Sequence, residues 1–341
     1  VSSVQPRPYQ PGDETALCAL FARAFGRAIT PEHWRWKLNS CPTPAPNVWL
    51  AWAEGRPIFQ YAGIPTRFQT PHGVLTGMVS VDTMTDPVYR RQGLLSQVGA
   101  HAYATWRAAG IAFVIGLPNE QWGSRAAALG WRPLFLLQWW QAILNPARFL
   151  ARKLRWPALA QLTALNALLR LSRPPRVNPA IHIRPLRQAG AECDALWEIV
   201  APTVTIAAIR DRAWVQWRYF DAPNFNYQVL FAESAGQPRG YLAYRVEGPV
   251  GFLADVCATD ADARAALLAR ALELLAAAQV DSLLTLALPG SDLAAALRRA
   301  GFLSRPHAFS VQWVPLAPDL PWAELSAAQP WHLTGGDFDV L

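Results

Sequence analysis

One short stretch of this chain carries residue types that could bind an anion. It reads Asp86-Pro87-Val88-Tyr89-Arg90-Arg91-Gln92-Gly93, between an apolar strand ending at Thr85 and a helix starting at Leu94. A helix N-terminus offers unpaired N–H groups and the positive end of the helix dipole. Gly93 lets those amides approach a phosphate with no side chain in the way. Arg90 and Arg91 add charge. No Gly-Lys-Ser/Thr follows, so this is not a Walker loop, and a single Gly does not make the dinucleotide fingerprint.

The elements that must position this loop follow from hydrophobic period and caps. A short strand is expected near Val4–Tyr9, then a helix over Thr15–Phe25 with Asp13 as its cap. An aromatic helix covers Pro31–Leu38. Strands follow at Val48–Ala53, Ile58–Phe68 and Val74–Thr85. A helix over Leu94–Ala109 stops at Gly110. A strand at Ala112–Leu117, a helix at Glu120–Leu129 and a strand at Pro133–Gln141 complete the set. Alternating strands and helices around one mixed, twisted sheet make the class α/β (α+β).

The same pattern recurs downstream. Trp34-Arg35-Trp36 followed by a Pro-broken loop and a strand ending Ala53-Glu54 is matched by Trp217-Arg218-Tyr219, Pro223 and a strand ending Ala232-Glu233. Asp82 and Asp255 lie 173 positions apart, as do Leu94-Leu95 and Leu267-Leu268. Leu117-Pro118 and Leu288-Pro289 are each followed, eleven residues on, by Gly plus an aromatic (Gly130-Trp131, Gly301-Phe302). Two copies of one domain are expected, at 1–143 and 181–318, with a joining segment 144–180 and a tail 319–341.

The chain has 341 residues, 52% hydrophobic and 16% charged, which excludes a disordered chain. Four scattered Cys form no CxxC, so a zinc ribbon or disulfide framework is not expected, and reduced thiols point to the cytoplasm. The N-terminus VSSVQPRPYQPGDE has no basic-then-apolar leader, and no apolar run is long enough to span a bilayer. The net charge of +7 is unevenly placed: between Glu120 and Glu192 there are eleven bases and no acid. That segment reads as a linker with a solvated basic face, or as a surface for an anionic membrane through 144–180. No nucleic-acid reading motif accompanies it.

With its strand, loop and downstream Asn and Gly-aromatic, the chain resembles the GNAT acetyltransferase superfamily. That family's acyl-CoA loop reads Val-x-Pro-x-Tyr-Arg-x-x-Gly-x-Gly/Ala; here stands Thr85-Asp86-Pro87-Val88-Tyr89-Arg90-Arg91-Gln92-Gly93-Leu94-Leu95. Asn119 and Gly130-Trp131 match its later motif. The resemblance implies a tandem bacterial member and an N-acetyltransferase moving acetyl from acetyl-CoA to a primary amine of a small molecule, with no metal. The aromatic pattern is similar to a subgroup associated with surface-polysaccharide genes, which would make the acceptor an amino sugar. Amides of Arg91, Gln92, Gly93, Leu94 and Leu95, with Arg90, would hold the pyrophosphate. The backbone of Met84 and Thr85 would pair with the pantetheine arm, and Asn119 would touch cofactor or active site. Ala126 stands where the family has its acid Tyr, so Tyr61, Tyr89 or a water would replace it. In the second copy Ala263-Arg264-Ala265-Ala266 stands position for position against the loop, so acyl-CoA binding is not expected there.

Acyl transfer to an amine needs a proton acceptor. Asp82, in an apolar strand where burial could raise its pKa, is the first candidate; a structural strand-end Asp is the alternative, favoured by Asp255 at the matching site. Glu54, His33 and His101 are weaker candidates. The tail is expected to be a loose terminus, or else to dock along the other domain or into the acceptor cleft. A non-catalytic CoA-binding scaffold or sensor remains the competing function.

Overall fold

A computed structural model describes residues 5–118, 122–161, 177–326 and 331–338. Asn119, part of the joining segment and the last three residues lie outside them.

The N-terminal half follows the expected order closely: β1 (Arg7–Pro8), α1 (Glu14–Phe25), α2 (Pro31–Asn39), β2 (Val48–Ala53), β3 (Arg56–Thr70), β4 (Gly73–Thr85), α3 (Leu94–Ala108), β5 (Phe113–Gly116), α4 (Gly123–Ala128) and β6 (Arg132–Ile143). Asp13 is not the side-chain cap of α1. Its carboxylate turns back to Arg7, with both oxygens at 2.9 Å. After α5 (Pro146–Lys153) come β7 (His182–Leu186), α6 (Ala191–Val200), β8 (Ile206–Ala208), α7 (Arg212–Val215), β9 (Gln228–Ser234), β10 (Gln237–Glu247), β11 (Val250–Ala258), α8 (Ala261–Ala277), β12 (Ser282–Ala287), α9 (Asp292–Arg299), β13 (Leu303–Pro315), α10 (Trp322–Leu325) and β14 (Trp331–His332).

All strands join one mixed sheet, in the order β1-β2-β3-β4-β5-β13-β6-β12-β11-β10-β9-β7; β8 pairs with β3 and β14 off this path. The order is symmetric about the β13–β6 pair. In each half the helix-crossover strands are parallel (β4 with β5, β11 with β12); the other ladders on this path are antiparallel, and off it β14 runs parallel to β8. Each half gives its last strand to the other side of the sheet. β6 pairs with β12 (Trp139↔Leu286), and β13 pairs with β5 (Trp313↔Ile115). Buried positions on both exchanged strands, Leu137, Trp140, Val311 and Trp313, tie them into the core. The halves are thus held by main-chain ladders as well as by side chains.

The two halves differ at the connection after the fourth sheet strand. In the N-terminal half residues 86–93 separate β4 from α3; in the C-terminal half only residues 259–260 separate β11 from α8. Ala263–Ala266, expected to stand position for position against the loop, lie inside α8 instead. Asp260 caps α8 directly, accepting from the Ala263 amide at 2.9 Å, so a carboxylate occupies the end where an anion would sit.

The tail is not loose. Trp331, Leu333 and Phe338 are buried, and Asp337 and Thr334 close on a fully buried Arg210. Arg210 bonds Asp255 (2.9 Å) and Asp337 (2.8 Å), and Thr334 Oγ1 donates to Asp255 at 2.8 Å. Asp255 pairs with one side of this buried guanidinium, and the tail completes the pairing on the other through Asp337. Of the joining segment, α5 sets Arg148 and Arg152 against Asp281 at 3.1 and 3.4 Å, so part of its basic face is neutralised within the chain.

His332 Nε2 is shut off from solvent. Burial, helped by the nearby Arg210, pushes its imidazole down to about 3. The folded state therefore binds fewer protons than the unfolded chain between about pH 3 and 6.5, and stability rises with pH across that window. Urea titrations should show a loss of about 1–2 kcal/mol between pH 6.5 and 5 that His332→Gln reduces. The same loss in His332→Gln would contradict this.

Candidate active site

The β4–β5 ladder is short. It pairs Gly77, Met78 and Val79 with Phe113, Val114 and Ile115, and stops. The next facing residues, Ser80 and Gly116, lean together without pairing. A Cβ on Gly116 would sit 3.3 Å from the Ser80 Cβ and 3.3 Å from the Trp131 ring, so glycine keeps this throat open. Beyond it lies a cavity of about 200 Å³ lined by Ser80–Thr83, Gly116–Pro118, Trp122 and Trp131, and by Phe25, Arg27 and Phe338. Met84 and Thr85 continue β4 past the parting and pair only with Gln60 and Phe59 of β3. The Met84 side chain packs away from the cavity, against Leu20 and Phe21.

Opposite Tyr61, β4 carries a bulge: Gln60 faces Met84 and Ala62 faces Val81, leaving Asp82 and Thr83 against one residue. Asp82 is left-handed (φ 46°), an unusual conformation for a residue with a side chain. Gln60 holds the bulge, donating to the Asp82 carbonyl at 3.1 Å while accepting from Trp34 Nε1 at 3.2 Å. The Asp82 carboxylate meets Lys37 Nζ of α2 at 2.7 Å, with both side chains almost wholly buried. The isolated buried carboxyl expected from the strand pattern is therefore an ion pair. Sequence reasoning missed Lys37, although it is one of only two lysines among 31 bases.

The loop itself is built on Asp86. Its buried carboxylate accepts from Arg23 (2.8 Å), Arg56 (2.7 Å) and the Val88 amide (3.2 Å). Burial opposes its charge, but the Arg23 and Val88 hydrogen bonds and the two guanidiniums hold its carboxyl below the usual range. Pro87–Tyr89 then make one 3-10 turn, Arg91 turns left-handed (φ 64°) and Gly93 does so again (φ 79°) to open α3. Leu94 is buried and Leu95 half-buried, while Arg90, Arg91, Gln92 and Gly93 are exposed. Arg90 reaches the Ala24 carbonyl (3.1 Å), and Gln92 Nε2 bonds the Val88 carbonyl (3.3 Å). The arrangement turns first-turn amides and two arginines outward at a helix start, which is chemistry suited to a phosphate.

Tyr61 is fully buried. Its hydroxyl bonds Tyr103 of α3 at 2.8 Å, and Trp131 Nε1 donates to the Tyr103 hydroxyl at 2.7 Å. Ser80, on the cavity wall, also hydrogen-bonds Tyr61. Burial, then the neighbouring Tyr103, raises the Tyr61 phenol well above 10. Tyr103 and the buried Ala126 belong to the same packed cluster. Glu54 is exposed in the β2–β3 hairpin turn (φ 53°), and His101 is exposed with its ring against Trp49, so neither faces the cavity. His33 lines a neighbouring cavity, described below.

Residues 5–133 match the family model described as an acetyltransferase (GNAT) domain. The fold as a whole is similar to three solved structures. The first is a conserved protein of unknown function from Enterococcus faecalis V583, described as a probable N-acyltransferase: 14% identity, TM-score 0.67, covering 93% of this chain and 73% of that one. The others are GCN5-related N-acetyltransferases from Anabaena variabilis ATCC 29413 (11%, TM-score 0.66, 92% and 73%) and Kribbella flavida (10%, TM-score 0.64, 92% and 71%). No curated protein matches the sequence.

If Lys37 and Asp82 stabilise each other, Lys37→Met should cost about 3–5 kcal/mol, and adding Asp82→Leu should recover most of it. A denaturant double-mutant cycle measures this; additive losses would contradict the pairing.

Proposed function

We propose, from the premise that residues 5–133 form a domain of the GNAT acetyltransferase superfamily, that this chain is an acyl-CoA-dependent N-acyltransferase moving acetyl from acetyl-CoA to a small-molecule primary amine. The observation that carries this reading is the outward loop Arg90–Leu95 beside a β4–β5 parting that opens into a cavity. The first-turn amides of α3, with Arg90 and Arg91, take the pyrophosphate. The pantetheine arm runs along the unpaired edge of β4, past Thr85 and Met84 toward Ser80, and the thioester reaches the cavity between Ser80 and Gly116. We also propose that residues 1–143 and 181–318 are tandem copies with exchanged last strands, and that only the first binds acyl-CoA.

In the transfer, the amine nitrogen attacks the thioester carbonyl. The N–C bond forms, the C–S bond breaks, and the amine loses one proton while the departing sulfur gains one. Asp82 is the carboxylate on the cavity wall that can accept the amine proton, directly or through water; Lys37 Nζ lies 2.7 Å from it. The departing sulfur takes its proton from water, while the Tyr61 phenol, raised by burial, stays protonated beside the cavity. Tyr61 accepts from the Ser80 hydroxyl, and its role is to hold that side chain in place on the cavity wall. Asn119, outside the described residues, keeps the role that the family motif implies.

The competing reading, a CoA-binding scaffold, is favoured by one fact: Ala126 occupies the position of the usual acid. Calorimetry and thiol release separate the two. Coenzyme A should bind the parent with measurable heat, and Gly93→Glu, which places a side chain and a negative charge at the loop, should weaken binding by at least about tenfold. Acetyl-CoA plus an amine should release thiol. No heat with the parent would overturn both readings; binding without thiol release from any amine would favour the scaffold.

A further inference from the structure

On the α1–α2 face of the sheet, a second cavity of about 450 Å³ adjoins the first, with Arg27 lining both. Its wall carries Arg27, His33, Lys37, Phe225, Arg245 and Glu247. Three fixed cations thus face one carboxylate. Lys37 is matched by Asp82 and Arg245 by Glu247, so these four charges cancel in pairs. Arg245 is further fixed between the rings of Phe225 and Phe252, at 4.8 and 4.9 Å. Arg27 is exposed and stands over the Phe21 ring at 5.4 Å. Among the described residues no carboxylate pairs with it.

We infer that this second cavity receives the acceptor, and that the acceptor is a primary amine carrying its own anionic group, held by Arg27. The inference rests on the transferase reading above and adds the substrate's chemistry to it. A plain cationic amine would enter against the uncompensated charge of Arg27. An amine with a carboxylate or phosphate would satisfy that charge, since guanidinium pairs with either by charge-assisted hydrogen bonds. The geometry sets its orientation. The anionic end lies at Arg27, the body against Phe225, and the amine points to the first cavity, where Asp82 stands beside the parting of β4 and β5. The C-terminal half supplies Phe225, Arg245 and Glu247, so the acceptor site is built by both halves even though the phosphate loop belongs to one.

The test is a thiol-release assay with acetyl-CoA and matched pairs of amines. One arm compares α-amino acids with their carboxamides; the other compares glucosamine-6-phosphate with glucosamine. In at least one arm the charged member should have kcat/KM about tenfold or more above its neutral partner, the worth of one charge-assisted hydrogen bond. The arm that shows it identifies carboxylate or phosphate. Arg27→Ala, an exposed change, should cut that preference to about threefold or less, acting through the KM of the charged amine. Arg27→Glu should invert it. Equal or faster turnover of the neutral member in both arms would overturn the anionic class while leaving the transferase reading in place. A charge preference that survives Arg27→Ala would overturn the assignment to Arg27. Binding of coenzyme A without thiol release in any arm would overturn the transferase reading, and this inference with it.

Discussion

The structure depends on where two parallel strands stop pairing. Three residue pairs join β4 to β5, and the ladder ends at Val79 and Ile115. Backbone amides and carbonyls left unpaired are costly unless they meet another partner. Here they face a throat kept open by Gly116 and a wall of Trp122 and Trp131. The other features of the site hold this opening in shape. The bulge at Asp82 turns β4 away from β5, Gln60 and Lys37 pin the bulge from below, and Asp86 clamps the strand end through Arg23 and Arg56.

The C-terminal half shows the same framework closed. Asp255 sits late in β11 as Asp82 does in β4, but its charge is taken by Arg210 and by Thr334 of the tail. Asp337 caps the same guanidinium from the other side, while Arg218 bonds the Gly336 and Phe338 carbonyls at 2.9 and 3.1 Å. The connection to α8 is two residues and ends in an aspartate cap. The Ala263 amide, which an anion would otherwise meet there, is taken by that aspartate. Having closed its own half, the tail carries Phe338 across to the wall of the N-terminal cavity. The C-terminal half, with its short connection, thus still shapes the cavity in the other.

Much of this was legible in the sequence, for physical reasons that can be named. Strand and helix periods placed the N-terminal elements to within a few residues, because each buries one face. The loop stood out because a helix start, a glycine and two arginines act locally. What escaped was long-range. β6 and β13 have the same apolar character, so nothing in their patterns says which neighbour each will take, and their exchange is invisible to periodicity. The Lys37–Asp82 pair joins residues far apart in the chain. Trp331–Phe338 looked like a loose end because its one acidic residue, Asp337, has no base nearby in the sequence; its partner, Arg210, lies more than a hundred residues upstream. The Leu94-Leu95 and Leu267-Leu268 match suggested substitution in the second loop, whereas a shortened connection brings a different helical turn to that place.

The central claim is that the open edge of β4 and the first turn of α3 together grip a coenzyme A molecule. Amide hydrogen exchange with and without coenzyme A measures this at the backbone itself. The account predicts slowed exchange confined to residues 80–85 and 91–96, with residues 253–263 of the C-terminal half unchanged. Unchanged exchange at both N-terminal segments, or protection centred on residues 253–263, would contradict it.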